Sequence, residues 1–143
     1  MTKIRVLFLC TGNSARSQMA EAWLRHYAGD RFEVHSAGLE PKGLHPLTVQ
    51  VMEEAGLDMS GHTSKTLQTY LGQMHFGYLI TVCSRAEEQC PIFPGVGTRL
   101  HWPFDDPAVD VGDAQAQLQR FRRVRDEIEA RVLAWLGELS AAA

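Results

Sequence analysis

Short, nearly continuous apolar runs alternate along this chain with segments whose apolar residues recur every three or four positions. The first run, residues 4–9, contains β-branched and aromatic residues and is bounded by a polar loop, as is typical of a buried strand. Further runs at 32–39, 76–82 and 99–104 predict three more strands. Nearly continuous apolar strands are typical of parallel sheets whose two faces are both covered.

Helical spacing follows each of the first two strands and recurs at the end of the chain. We predict helices from Ser17 to about Ala28, from Pro46 to about Ala55, and along a terminal segment whose apolar stripe includes Leu118 and Trp135. Strands that alternate with helices predict an α/β fold. We expect a three-layer sandwich with a central four-stranded parallel sheet, in a single domain covering residues 1–143, because this length suits one domain.

The overall charge gives no general attraction to nucleic acid or to anionic membranes, because the formal net charge is −3. No apolar stretch approaches the roughly 20 residues of a membrane-spanning helix, and the apolar run at 6–9 is too short for a secretory signal. We therefore expect a cytoplasmic monomer that binds neither nucleic acid nor membrane. Any anion site must then be built locally.

A loop of small polar residues, 10–17, joins the first strand to the first helix. Ligands of open parallel sheets bind at this end of the strands, and glycine and asparagine can adopt the left-handed backbone angles that turn N–H groups inward. Such a loop at a helix N-terminus forms an anion nest, to which an arginine adds a planar pair of donors. We expect a tetrahedral oxyanion, such as phosphate or arsenate, to be bound by Thr11, Gly12, Asn13, Ser14, Ala15 and Arg16.

Cys10, the first residue of this loop, is the candidate nucleophile. The helix N-terminus and Arg16 both favour a thiolate, and the Ser17 hydroxyl is placed to donate a hydrogen bond to it. The alternative is a small buried hydrophobic residue at the end of a strand, which would not need the loop or the arginine.

The loop resembles the phosphate-binding loop of low-molecular-weight protein tyrosine phosphatases and of their relatives, the thioredoxin-coupled arsenate reductases. The similarity continues in short segments along most of the chain, at 18–21, 36–38, 62–64, 81–84, 90–91, 101–102 and 104–108. In this family an aspartate before a proline is the general acid, which implies that role for Asp106, followed by Pro107. Its neighbour Asp105 is expected to be exposed or to form hydrogen bonds.

Two later cysteines distinguish the two kinds of relative, because a phosphatase has no use for them. The resemblance to the reductases implies a thiol relay: Cys10 attacks arsenate, Cys83 resolves Cys10 and releases arsenite, and Cys90 resolves Cys83. Thioredoxin would then reduce the Cys83–Cys90 disulfide. Three alternatives remain: a phosphatase with incidental cysteines, a noncatalytic oxyanion-binding or thiol-sensing protein, and two unrelated buried cysteines.

The spacing of Cys83 and Cys90 carries a physical prediction of its own. Ser84 suits the N-cap position of a helix that continues through Gln89, and residues seven apart on a helix lie about 10 Å apart. A disulfide requires Cα atoms within about 7 Å. If this segment is helical in the reduced protein, it must unwind when the two cysteines join.

We expect no metal and no permanently bound cofactor. Asn13, Glu21 and Ser36 match oxygen donors that surround potassium in some of the reductases, but Lys65 stands where the resemblance places the remaining carboxylate. The lysine ammonium replaces the cation in this interpretation, so activity should depend little on potassium.

Overall fold

Four parallel strands form the sheet on which the loop is carried. The computed structural model describes residues 2–70, 72–90, 95–109 and 111–142. Its strands are β1 (Ile4–Cys10), β2 (Phe32–Gly38), β3 (Phe76–Thr81) and β4 (Val96–His101). They lie in the order β2-β1-β3-β4, and all neighbours are parallel. The predicted four-stranded parallel sheet is confirmed.

Helices and a short 3₁₀ turn (Leu67–Thr69) connect the strands. The helices are α1 (Arg16–Ala28), α2 (Pro46–Glu54), α3 (Ser84–Gln89) and α4 (Ala114–Ala142). Within the described ranges, none of them is both long enough and apolar enough to cross a membrane.

The two faces of the sheet are covered by different parts of the chain. On one face, the Trp135 ring of α4 packs 5.5 Å from the Phe32 ring and 4.9 Å from the Tyr78 ring. On the other face, the Tyr70 ring lies 5.1 Å from the His35 ring. Because successive strand residues point to opposite faces, these contacts confirm the predicted layered α/β class.

The central strand β1 explains why the core forms where it does. Val6, Leu7, Phe8 and Leu9 are completely buried, as expected for a strand with neighbours on both edges and cover on both faces. The Phe8 ring packs 5.8 Å from the ring of Trp102. Cys10 therefore ends a strand whose preceding residues are fully buried.

The predicted bounds of β4 were wrong, because the strand begins three residues earlier than 99 and ends at His101. The difference in bounds arises from the tertiary structure. β4 is an edge strand with mostly exposed residues, so its apolar pattern is weak, and its extent is set by pairing with β3 from Phe76↔Val96 to Thr81↔His101. Two glycines let the strands approach, since a Cβ on Gly97 would lie 3.0 Å from the carbonyl oxygen of Gly77.

Candidate active site

Cys10 lies at the carboxyl end of β1 and is only 2% exposed. Its Sγ is 2.9 Å from the Ser17 Oγ and accepts a hydrogen bond from the Asn13 backbone N–H at 3.2 Å. The Asn13 side-chain Nδ2 donates to the Ser17 Oγ at 2.8 Å. The hydroxyl proton of Ser17 is therefore left to be donated to the Cys10 sulfur. Two hydrogen-bond donors, the Ser17 hydroxyl and the Asn13 backbone N–H, are therefore directed at the Cys10 sulfur.

The carbonyl groups of the loop point away from the cavity and are held by the segment that follows β2. The acceptors Cys10, Thr11, Gly12 and Ser14 bind the backbone N–H groups of Leu39, Glu40, Lys42 and His45, respectively, at 2.8–3.2 Å. With the carbonyls engaged outside, the N–H groups are left for the inner side of the loop. Asn13 has the left-handed φ of +48° that such a loop requires.

The start of α1 adds to the anion site. Ala15 occupies the N-cap position and makes no side-chain cap hydrogen bond. The first N–H groups of a helix have no partners within the helix, and they lie at the positive end of the helix dipole. An oxyanion in the loop would therefore take the place of a capping side chain.

The Asn13 side chain ties the loop to three other elements. Besides Ser17, its Nδ2 donates to the Ser36 Oγ at 2.9 Å, and its Oδ1 accepts from the Lys65 backbone N–H at 2.7 Å. Gln18 also donates to this oxygen at 3.1 Å. Gln18 was not among the predicted site residues; its burial in the first turn of α1 is a property of the fold that its polar side chain does not reveal in the sequence.

Arg16 connects the loop to the aspartate segment. Its side chain is 13% exposed, its Nη1 donates to the Phe104 carbonyl at 3.2 Å, and its Nη2 lies 3.9 Å from Asp106 Oδ2. The other Asp106 oxygen accepts the Ala108 backbone N–H at 2.9 Å. Asp105 points elsewhere, 3.4 Å from Arg123, with its side chain 75% exposed. The acid assigned from the sequence is thus the aspartate that lies at the loop.

Cys83 lies beside the loop, whereas Cys90 lies at the far end of α3. The Cys83 Sγ is 3.4 Å from the Thr11 Oγ1 and also caps α3 by accepting the Ala86 N–H at 3.4 Å. The expected cap was Ser84, which is instead the first residue of the helix. Cys90 follows the last turn of α3 and is buried, and burial raises the pKa of its thiol. Pro91, which belongs to the resembling segments, lies outside the described residues.

A cavity of about 560 Å³ opens above the loop. It is lined by some of the predicted residues, and also by Lys42, His45 and Arg85, which were not predicted as site residues. The predicted residues in the lining are Cys10, Thr11, Gly12, Ser14, Ala15, Arg16 and Asp106. His45 is the N-cap of α2, because its Nδ1 accepts the Leu47 N–H at 3.0 Å.

A second polar cluster lies behind the loop, around the buried carboxylate of Glu21. Ser36 donates to one Glu21 oxygen, and the Lys65 ammonium lies 3.9 Å from that oxygen. The ammonium also donates to the Thr63 carbonyl at 2.6 Å. Burial lowers the pKa of Lys65, and the neighbouring Glu21 opposes this shift.

A buried cysteine, an anion-binding loop at a helix N-terminus and an aspartate define the class: an enzyme that attacks a tetrahedral oxyanion with a thiolate. Residues 5–143 match the family described as low molecular weight phosphotyrosine protein phosphatase. The chain belongs to this family, and the resemblance found in the sequence is confirmed.

Individual relatives divide between two activities. An arsenate reductase of Halalkalibacterium halodurans is 46% identical over 132 residues, which are 92% of this chain and 94% of that protein. A thioredoxin-dependent arsenate reductase of Corynebacterium glutamicum superposes with a TM-score of 0.70 and 28% identity, over 99% of this chain and 64% of that one. A low molecular weight protein tyrosine phosphatase of T. tengcongensis shares the fold, with a TM-score of 0.75 and 22% identity over 95% of this chain and 99% of that one.

Gly38 offers a direct test of the loop's shape. A Cβ at this position would lie 2.8 Å from both the Asn13 nitrogen and the Thr11 carbonyl oxygen, so Gly38→Ala must push the loop outward. We expect Gly38→Ala to weaken phosphate binding at least tenfold and to lower the free energy of unfolding by about 1–3 kcal/mol. Titration calorimetry and urea denaturation measure the two effects. The control is Gly61→Ala, where nothing lies within 4 Å of the added carbon, and equal results for the two variants would contradict the prediction.

The His45 cap makes stability depend on pH. Burial lowers the pKa of His45, an effect that the charge of Asp106 opposes, so the folded state favours the neutral ring that caps α2. Stability from this residue is present above its ordinary pKa of 6.5 and is lost as the pH falls, because the unfolded chain binds the proton more readily. His45→Asn keeps a good cap and should show a smaller loss of unfolding free energy between pH 7 and 5. The exposed His75→Asn should match the unsubstituted protein in these urea titrations.

Proposed function

We propose that the protein reduces arsenate to arsenite with a relay of three thiols, Cys10, Cys83 and Cys90, and that thioredoxin regenerates it. The observation that carries the proposal is the position of the Cys83 thiol, which contacts Thr11 in the loop next to Cys10. Similarity to a reductase at 46% identity supports the substrate, and the thioredoxin-dependent neighbour supports the reductant. These thiols would be kept reduced in the cytoplasm, where we place the protein.

In the first step, arsenate binds in the loop and the Cys10 thiolate attacks arsenic. An As–S bond forms as an As–O bond breaks, and the departing oxygen leaves as water after protonation. Asp106 is the proposed donor of that proton. Arg16 lies between the loop and this aspartate, so it can bind the oxyanion while it holds the acid nearby.

In the second step, the Cys83 thiolate attacks the sulfur of Cys10. The S–As bond breaks, its electron pair stays on arsenic, and As(V) becomes As(III) in arsenite. A Cys10–Cys83 disulfide is the oxidised product. Cys10 is the last residue of β1 and Cys83 lies two residues beyond β3, and the carboxyl ends of these neighbouring parallel strands lie at one edge of the sheet. This placement supports the proposed exchange between the two cysteines.

In the third step, the Cys90 thiolate attacks the sulfur of Cys83, and Cys10 leaves as a thiolate. Burial raises the pKa of the Cys90 thiol, which keeps it protonated while α3 is intact. Because Cys83 and Cys90 cap opposite ends of α3, joining them requires the helix to open. Opening also exposes the Cys83–Cys90 disulfide to the dithiol of thioredoxin, which reduces it by exchange.

A phosphatase is the second candidate, because the loop and the acid would serve both reactions. The cavity favours a small inorganic substrate. No phenylalanine, tyrosine or tryptophan is among the described residues that line it, so no such ring is placed there to stack on an aryl phosphate. Ala108 lines the cavity just beyond Pro107.

The decisive assay is arsenate-dependent NADPH oxidation in the presence of thioredoxin and thioredoxin reductase. We expect turnover by the unsubstituted protein and its loss in Cys10→Ser, Cys83→Ser and Cys90→Ser. Asp106→Asn should lower kcat by roughly 10²–10⁴-fold. Asp105→Asn, which alters the adjacent exposed carboxylate, should leave kcat unchanged. If arsenate gave no turnover while Cys83→Ser and Cys90→Ser hydrolysed an aryl phosphate normally, the protein would be a phosphatase.

The position of Lys65 predicts little dependence on potassium. Its ammonium already lies beside Glu21, where it supplies the positive charge that a cation would bring. We therefore expect equal reductase rates in potassium chloride and in the chloride of a larger cation, such as tetramethylammonium, at the same ionic strength. A clear activation by potassium alone would refute this role for the lysine.

A further inference from the structure

Three cations line the cavity above the loop, of which only Arg16 belongs to the loop itself. The other two are Lys42 and Arg85, and Asp106 is the one carboxylate among the described lining residues. The cavity is therefore locally positive in a chain whose formal charge is −3. Charges that line a cleft raise the local concentration of an oppositely charged ligand.

Lys42 is held at the loop although its side chain is exposed. Its backbone N–H donates to the Gly12 carbonyl at 2.9 Å. Its stem then passes over Gly12, since a Cβ built on that glycine would lie 3.4 Å from the Lys42 Cδ. Both contacts keep the ammonium within reach of the cavity mouth.

Arg85 reaches the same mouth from α3, of which it is the second residue. Its Nη2 donates to Glu40 Oε1 at 3.1 Å, and its Nε donates to Gln89 at 3.3 Å. Glu40 is itself bound through its backbone N–H to the Thr11 carbonyl at 2.8 Å. The ion pair is exposed and orients the guanidinium, while the Glu40 carboxylate offsets part of its positive charge.

We propose that Lys42 and Arg85 form a cationic rim that attracts the anionic substrate to the loop, and that Arg85 leaves this rim when the Cys83–Cys90 disulfide forms. The inference rests on the proposed function for the identity of the substrate. Arsenate, like phosphate, is an anion at neutral pH, whereas arsenous acid is uncharged. The rim therefore favours the substrate and does not retain the product.

The redox step follows from where Arg85 lies. It stands between the two resolving cysteines, on the helix that must open when they join. Opening α3 would break the Arg85–Gln89 contact and also the pairing of Arg99 with Glu87 at 2.6 Å, which holds α3 to β4. With the helix open, the guanidinium is no longer fixed above the loop. The oxidised enzyme would then bind oxyanions less tightly until thioredoxin has acted.

Phosphate binding to the reduced protein tests the rim without any turnover. By calorimetry at about 20 mM ionic strength, we expect Lys42→Gln and Arg85→Gln each to raise the Kd about two- to fivefold, with the effect shrinking at 0.3 M salt. Arg85→Lys should recover most of the affinity. The matched control is Arg5→Gln, which removes an arginine paired with Glu33 at the opposite end of the sheet. A Kd for both rim variants equal to that of Arg5→Gln would overturn the rim.

The release of Arg85 is tested in Cys10→Ser, whose remaining cysteines can form only the Cys83–Cys90 disulfide within one chain. After oxidation with diamide, the phosphate Kd should rise about as much as Arg85→Gln raises it in the reduced protein. In the double variant Cys10→Ser, Arg85→Gln, the phosphate Kd should be nearly the same in the reduced and oxidised forms. Equal affinity in the reduced and oxidised forms of Cys10→Ser would overturn the release.

These measurements separate the rim from the proposed function. If arsenate is reduced but the rim variants bind phosphate normally, the function stands and the rim fails. If the rim variants weaken phosphate binding but no arsenate is reduced, the rim stands as an anion-attracting device of another oxyanion enzyme.

Discussion

The backbone hydrogen bonds between the loop and the segment 39–45 are the interaction on which the site depends. They hold the loop carbonyls on the outside, and only this arrangement leaves the N–H groups for an oxyanion. The same bonds require Gly38 before them, where the approach is too close for a side chain, and the left-handed Asn13 within the loop. The segment 39–45 thus maintains the geometry of the loop, and its residues Lys42 and His45 also line the cavity.

The surroundings of the cysteines also differ from one cysteine to another. The Asn13 backbone N–H and the Ser17 hydroxyl direct hydrogen bonds at the Cys10 sulfur. Cys90 is buried at the end of α3, and burial raises the pKa of its thiol. In the proposed relay these two thiols would act at different steps, and the opening of α3 would release the Cys90 thiol from its buried position.

Much of the fold and of the candidate site was predictable from the sequence, because the patterns that indicate them are local. The strand–loop–helix pattern around Cys10 requires only neighbouring residues, so the loop, α1 and the parallel sheet follow from the sequence. The bounds of β4 did not, because an edge strand has a weak apolar pattern and its pairing with β3 sets its extent. Gln18, Lys42 and His45 were not predicted as site residues for a related reason. Their contacts are made with parts of the chain that the sequence does not show to be adjacent.

By itself, the sequence determined the class of fold, the candidate nucleophile and its loop, and the spacing of Cys83 and Cys90, since all of these depend on residue type and short separations. Only the tertiary structure decided which side chains distant in sequence come into contact. It brings Cys83 to Thr11, Asp106 to Arg16, and Arg85 to Glu40. The physical reason is the sheet order β2-β1-β3-β4, which gathers the carboxyl ends of strands distant in sequence at a single edge.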